Sequence, residues 1–167
     1  MHHSPPADPP SYARLVWSQR SVVDYGLARR ATLTALLGPE AGGSTTRADV
    51  CDAHPYLLRA ARHHGEPTGR DCPVCRRERL VEVAYVYGEQ LGQYQGRVKG
   101  RAELAAMAHE HGEFRVYRVE VCRGCGWNHL VLSFVLGDGV DRRGAGRGDR
   151  AAARTSASAG SSPGAEG

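Results

Sequence analysis

The chain has 167 residues and a formal net charge of +4, which is too small a charge to indicate a nucleic-acid partner by itself. No run of apolar residues approaches the roughly 18 needed to cross a membrane, and no apolar segment follows the N-terminal histidines. These features argue against a membrane protein, and we expect a cytoplasmic location. In a reducing compartment, five cysteines favour metal binding over disulfides.

The composition divides the chain into three parts. Residues 1–16 are rich in proline, and residues 138–167 consist mainly of Gly, Ala, Ser and Arg, so neither part can bury much apolar surface. We therefore expect both ends to be disordered and residues 17–137 to form a single domain.

Two helices are predicted near the N-terminus. Ser21-Val-Val-Asp24 has the form of a capping box, which predicts a helix over 22–37 that ends at Gly38. Thr46-Arg-Ala-Asp49 repeats this pattern before a short turn that contains Cys51. Pro55 suits a first helical turn, and the second helix is predicted from there to His64.

The rest of the domain favours a sheet. Residues 80–87 are rich in β-branched and aromatic residues, which predicts a strand, and a short strand is expected near Tyr94. Residues 101–111 predict an inserted helix, whereas 113–121 and 129–136 predict an antiparallel hairpin. The predicted fold is α+β, with two N-terminal helices followed by a zinc-ribbon-like antiparallel sheet of three or four strands.

Two C-x-x-C pairs, Cys72-Pro-Val-Cys75 and Cys122-Arg-Gly-Cys125, have the spacing of a zinc site. We call them the first and the second knuckle. They are separated by 46 residues, and closing this longer loop costs only about 0.8 kcal/mol more than closing a compact one. The alternative of two redox motifs is less favoured, because each pair is predicted at strand ends rather than at a helix start. The four thiolates predict one structural Zn²⁺.

Three strings resemble a family of small actinobacterial proteins described as a domain of unknown function. They are Val50-Cys-Asp-Ala-His-Pro-Tyr-Leu-Leu-Arg-Ala-Ala61, Cys72-Pro-Val-Cys75-Arg76 and Val119-Glu-Val-Cys-Arg-Gly-Cys-Gly-Trp-Asn-His-Leu130. The resemblance extends from about Trp17 to Gly137. It implies a zinc-ribbon-like domain and carries no implication about activity.

Two further residues could take part in thiol or metal chemistry. Cys51 is a fifth cysteine, for which a packed core thiol is the main interpretation; the alternatives are a reactive thiol, or a ligand together with His54. His129 follows the second knuckle, but four thiolates already complete a tetrahedron, so we expect it to hydrogen-bond within the last strand.

Candidate contact residues lie beside the knuckles. Trp127 is predicted to be exposed at the hairpin tip, where Arg123 accompanies it, and Arg76 and Arg77 follow the first knuckle. These arginines could offset the charge of the thiolate site or simply be solvated. Tyr85 and Tyr87 share one face of their strand, either as core or as a stacking surface for bases.

The sequence indicates a binding module rather than an enzyme. Four cysteines leave no open position on zinc, and no catalytic constellation or small-molecule site is discernible. We expect a module of transcription or translation that contacts nucleic acid or a ribonucleoprotein, since Trp127 and Arg123 at the predicted tip have the composition of a surface that stacks bases. Of the 22 basic residues, 21 are arginine, which suits phosphate contacts, but a GC-rich genome explains this bias equally well. The alternatives are a protein adaptor without nucleic acid and a thiol redox sensor that uses Cys51.

Overall fold

A computed structural model describes residues 19–38 and 45–140 of the chain. Within them, there are four α-helices and six strands. The elements are β1 (Arg20–Asp24), α1 (Gly26–Leu37), α2 (Arg47–Val50), α3 (Pro55–His64), β2 (Glu66–Asp71), β3 (Arg79–Tyr87), β4 (Arg97–Val98), α4 (Arg101–Glu110), β5 (Phe114–Val121) and β6 (Asn128–Leu136). A 3-10 segment over Glu89–Tyr94 precedes β4 and is interrupted at Gly92. The described part is an α+β fold.

The six strands form one sheet in the order β1-β6-β5-β3-β2, and β4 also pairs with β3. Every pairing is antiparallel. The central strands β3 and β5 are aligned without a shift from Val81 opposite Val121 to Tyr87 opposite Arg115. This regular pairing fixes the positions of both knuckles, since the first directly precedes β3 and the second directly follows β5.

Helices cover both faces of the sheet. Alternate residues of β3 point to opposite sides, and they enter two different clusters. Ala84 and Val86 pack with Leu104 of α4, whereas Val81 and Val83 pack with the α3 side. A third cluster surrounds the knuckles and contains Val50, Cys72, Leu80, Cys122 and Trp127. Leu33 and Leu36 of α1 pack against this third cluster, so the knuckles lie in a core of their own.

The predicted first helix begins later than the sequence indicated. Residues 20–24, with the expected capping box at Ser21 and Asp24, form strand β1 along β6, with Val23 opposite Ser133. The helix itself spans Gly26–Leu37 and ends before Gly38, as predicted. β-Branched residues at positions 22 and 23 suit a strand, and pairing with β6 outweighs the local capping signal. The prediction of a helix from residue 22 was therefore wrong at its start.

The sheet is also larger than predicted. It has six strands rather than three or four, because β1 and β2 were both missed. Strand β2 contains Pro67 and Gly69, which are depleted in strands, and it lies at the edge of the sheet where they are tolerated. The short strand expected near Tyr94 is β4, three residues further on.

Several predictions are confirmed. The capping box at Thr46 and Asp49 is present, and helix α3 has the predicted bounds. The predicted inserted helix is α4, and β5 and β6 form the predicted hairpin. Disorder was also predicted for residues 1–16 and 138–167, of which 1–16 and 141–167 lie outside the described residues. The described residues 138–140 contact the domain, since the Gly139 amide donates to the carbonyl of Gly112 at 2.7 Å.

Candidate metal centre

The two knuckles bring four thiols together. The first knuckle lies in the turn between β2 and β3, and the second lies at the tip of the β5–β6 hairpin. The Sγ atoms of Cys72, Cys75, Cys122 and Cys125 all lie within 4.8 Å of one another. Across the knuckles, Cys72 is 3.6 Å from Cys125, and Cys75 is 3.7 Å from Cys122. We call these four thiols the metal centre.

This spacing fits a tetrahedral zinc site. Zinc–sulfur bonds of about 2.3 Å in a tetrahedron place the sulfurs about 3.8 Å apart. The two sulfur–sulfur distances given above agree with this value to within about 0.2 Å. Four sulfur ligands and no carboxylate in the cluster favour Zn²⁺ over Mg²⁺ or Ca²⁺. The arrangement can therefore hold zinc with a closed coordination shell.

The two knuckles have matching backbone turns. The amide four residues after the first cysteine donates back to that cysteine's carbonyl: Arg76 to Cys72 and Gly126 to Cys122, both at 3.0 Å. Both residues have a positive φ, 55° at Arg76 and 82° at Gly126. Such turns aim backbone amides at the sulfurs, and the Cys125 amide lies 3.5 Å from the Sγ of Cys122. The backbone is thus arranged to support negative charge on the sulfurs.

Burial and these amides act in opposite directions on the thiols. Burial raises the pKa of Cys122 to about 12, although the amides of Cys125 and Gly124 oppose the rise. Burial also raises the pKa of Cys72. For Cys75, burial is outweighed by hydrogen bonds from the backbone of Arg77 and Glu78 and from neighbouring thiols, which lower its pKa to about 6. Metal binding would have to displace the protons of the two buried thiols.

Cys51 lies beside the metal centre. Its Sγ is 3.7 Å from that of Cys125, although it is not one of the four clustered ligands. Cys51 is half-buried and packs against the third cluster, in agreement with the main interpretation of this residue as a core thiol. The alternative ligand pair with His54 is not formed, because His54 stacks on Tyr56 and its Nδ1 accepts from the Tyr56 amide.

Trp127 is fully buried, so the prediction of an exposed contact residue was wrong. Its Nε1 donates to Oε1 of Glu120 at 2.9 Å, and the same oxygen accepts from Nε of Arg29 at 2.6 Å. A buried indole N–H needs such an acceptor, and Glu120, itself 0% exposed, supplies it. Sequence reasoning missed Glu120 because its spacing from Trp127 matches no local motif.

The other oxygen of Glu120 faces an arginine without a well-formed hydrogen bond. Oε2 lies 3.3 Å from Nη2 of Arg70, yet this buried oxygen has no hydrogen-bond partner in the described part of the chain. The contact is therefore an ion pair, since the two atoms are close but are not oriented as a hydrogen bond requires. Arg70 also pairs with Glu82 at 3.0 Å, and Glu82 pairs with Arg118 at 2.6 Å. An ionic network therefore lies on the sheet next to the metal centre.

The remaining predicted contact residues have different environments. Arg76, Arg77 and Arg123 are all exposed beside the knuckles. Tyr85 is half-buried against the α3 cluster, whereas Tyr87 is 43% exposed and meets Tyr117 edge-on. The tyrosine face thus divides between core and surface.

His129 lies in β6, as predicted. Its Nδ1 donates to the carbonyl oxygen of Leu130 at 2.6 Å, and its ring stacks near that of Trp127. It does not belong to the thiol cluster.

Comparisons with known proteins agree with the resemblance seen in the sequence. The model of a "Family of unknown function (DUF5318)" matches residues 16–150. The chain is 50% identical over 115 residues to the uncharacterized protein Rv0049 of Mycobacterium tuberculosis and to the uncharacterized protein Mb0050 of Mycobacterium bovis. Each match covers 69% of this chain and 81% of the relative. No solved structure matches. No helix in the described ranges is long and apolar enough to span a membrane.

Proposed function

The chain belongs to the family of unknown function DUF5318, and within this family we propose that it is a non-enzymatic, zinc-ribbon-like binding module with one structural Zn²⁺. The observation that carries the proposal is the convergence of four thiols from two distant turns within 4.8 Å. Four thiolates fill a tetrahedral shell, so the zinc would have no position for substrate or water. Its role would be to join the β2–β3 turn to the β5–β6 tip.

The partner we propose is nucleic acid or a ribonucleoprotein. Arg76 and Arg123 are exposed, and the knuckle turns fix their backbones, so their guanidinium groups project from a rigid support. Rigid guanidinium groups bind phosphate oxygens in pairs of hydrogen bonds. The partner surface would thus be next to the metal centre and would depend on it. A role in transcription or translation would follow from such a partner.

Metal content tests the first part of the proposal. Protein purified without added metal should contain one zinc per chain, and Cys72→Ser should lose both the zinc and the folded third cluster. A folded protein that lacks metal and has free thiols at all four positions would contradict the metal centre.

Salt dependence tests the second part. Binding to single-stranded RNA should weaken as salt rises from about 50 to 200 mM, because phosphate contacts release counterions. In Arg76→Gln/Arg123→Gln, the slope of log affinity against log salt should become shallower by about one to two units. The matched control is Arg62→Gln/Arg97→Gln, which removes the same charge from exposed positions on α3 and β4.

A protein adaptor remains the second candidate, and the same arginines favour it, since arginine is enriched at interface hot spots. A pull-down from host lysate with and without nuclease distinguishes the two. A protein that stays bound after nuclease treatment and in high salt, with no nucleic acid recovered, would support the adaptor and contradict a nucleic-acid partner.

A further inference from the structure

The described part of the chain places a fifth sulfur against a metal centre that needs only four. The Sγ of Cys51 lies 3.7 Å from that of Cys125, which is as close as the ligand pairs lie to each other. Cys51 and Cys125 are both half-buried, as is Cys75, whereas Cys72 and Cys122 are fully buried. Small reagents in solvent can therefore reach both members of the pair.

Hydrogen bonds hold the segment around Cys51 against the second knuckle. The amide of Ala53 donates to the carbonyl of Gly126 at 3.0 Å, and the Asn128 side chain donates to Asp52 at 3.0 Å. A Cβ on Gly126 would lie 2.8 Å from the carbonyl oxygen of Cys51, so only glycine allows the two segments to approach this closely. Residues 51–53 are thus bound along the second knuckle.

A cation completes the surroundings of the pair. Interaction with the sulfur of Cys51, and more weakly with that of Cys125, raises the pKa of Arg47, so the positive charge of its guanidinium faces the pair. Arg47 is held by α2, whose capping box at Thr46 and Asp49 fixes its first turn. A positive charge and partial exposure are typical surroundings of reactive cysteines.

We propose that Cys51 and Cys125 form a redox-sensitive pair, in which peroxide joins them as a disulfide and thereby removes one ligand from the metal centre. This inference rests on the proposed zinc site. To form the disulfide, the two sulfurs must approach from 3.7 Å to about 2.05 Å.

The chemistry balances with hydrogen peroxide as the oxidant. The thiolate of Cys51 attacks one peroxide oxygen, the O–O bond breaks, and Cys51 becomes a sulfenic acid while hydroxide leaves. The sulfur of Cys125 then attacks the sulfenic sulfur, the S–S bond forms, and the S–O bond breaks to release a second hydroxide. Together, two thiols and one peroxide give one disulfide and two waters. Three thiols remain, too few for a closed structural zinc site.

The test treats the full-length, zinc-containing protein with hydrogen peroxide. A colorimetric chelator measures zinc release, and peptide mapping without reduction locates the disulfide. The wild-type protein should release zinc, carry a Cys51–Cys125 disulfide, and rebind zinc after treatment with dithiothreitol. In Cys51→Ser, release should be slower by about tenfold or more, because the ligands then lack an adjacent free thiol. Arg62→Gln, which changes an exposed residue of α3 and keeps all five thiols, should resemble the wild type.

Three other outcomes overturn the inference. Zinc release from Cys51→Ser at the wild-type rate would mean that peroxide attacks the ligands directly. A disulfide mapped to Cys72–Cys125 or Cys75–Cys122 would assign the chemistry to the ligands alone. Less than one zinc in untreated, folded Cys51→Ser would make Cys51 a ligand rather than a redox partner. If the wild type held no zinc, the proposed function would fail, and the same mapping would still show whether Cys51 and Cys125 pair.

Discussion

The buried carboxylate of Glu120 should make a large contribution to stability, and Glu120→Gln tests it. Glutamine keeps the shape and one oxygen acceptor but removes the charge that faces Arg29 and Arg70. In one orientation, the glutamine N–H₂ group would face a guanidinium nitrogen of Arg70, which is also a donor. In the other orientation, the N–H₂ group would face the indole N–H of Trp127, which would then have no acceptor. Either orientation leaves a donor without an acceptor in a site that is 0% exposed at Glu120.

The magnitude follows from the burial of the pair. Removing one partner of a buried ion pair costs about 3–5 kcal/mol. Arg29 is 20% exposed, so water offsets part of the loss, and Arg70 keeps its contact with Glu82. We therefore expect a loss of about 3 kcal/mol in the free energy of unfolding, at the lower end of that range. With a typical urea slope of about 2 kcal/mol per M, the midpoint should fall by about 1.5 M.

Urea denaturation of the zinc-containing protein measures this effect, with zinc content determined for each variant. Glu113→Gln is the matched control, since Glu113 also pairs with an arginine, Arg20, but its side chain is 51% exposed. Exposed pairs contribute about 0–1 kcal/mol, so the control midpoint should move by less than about 0.5 M. Equal shifts in the two variants, with zinc retained in both, would refute the idea that burial of Glu120 makes its charge pairing important.

Two further predictions concern the same end of the sheet. Trp127→Phe should lower the free energy of unfolding by about 1–3 kcal/mol, because the acceptor on Glu120 loses its indole donor; urea midpoints measure this, and partner binding should not change, since a buried side chain cannot contact a partner. Thr46→Ala should lower the free energy of unfolding by about 1 kcal/mol, because it removes the hydrogen bond from the Thr46 hydroxyl to the Asp49 carboxylate at 2.7 Å, and a midpoint equal to that of the wild type would show that α2 does not depend on this bond.

The metal centre was the part of the structure that the sequence predicted most directly. Two C-x-x-C pairs specify their ligands by spacing alone, and the flanking apolar runs specify the hairpin that carries Cys122 and Cys125. The same reasoning identified α3, because Pro55 and Gly65 mark its ends by local backbone preference. These features depend on residues close together in the sequence, and the structure brings the four predicted thiols together.

Features decided by distant contacts could not be predicted. Ser21-Val-Val-Asp24 satisfies a capping box and a strand equally well, and only β6, more than 100 residues later, selects the strand. Trp127 follows a turn where exposure is common, but Glu120 supplies a buried acceptor across the hairpin. Cys51 has no spacing motif at all, and its approach to Cys125 depends on the contact of residues 51–53 with the second knuckle.

The two edges of the sheet have a consequence for behaviour at high concentration. At one edge, the β1 pairing breaks between Arg20 and Val23, where Ser21 has a φ of 49°. At the other edge, the pairing of β2 with β3 is interrupted between Pro67 and Asp71, and Pro67 lacks a backbone N–H. A strand from a second molecule needs an unbroken row of N–H and C=O groups to add to a sheet. In the described part of the chain, the irregular backbone of both edge strands disfavours such addition, even though the valines of β1 are exposed.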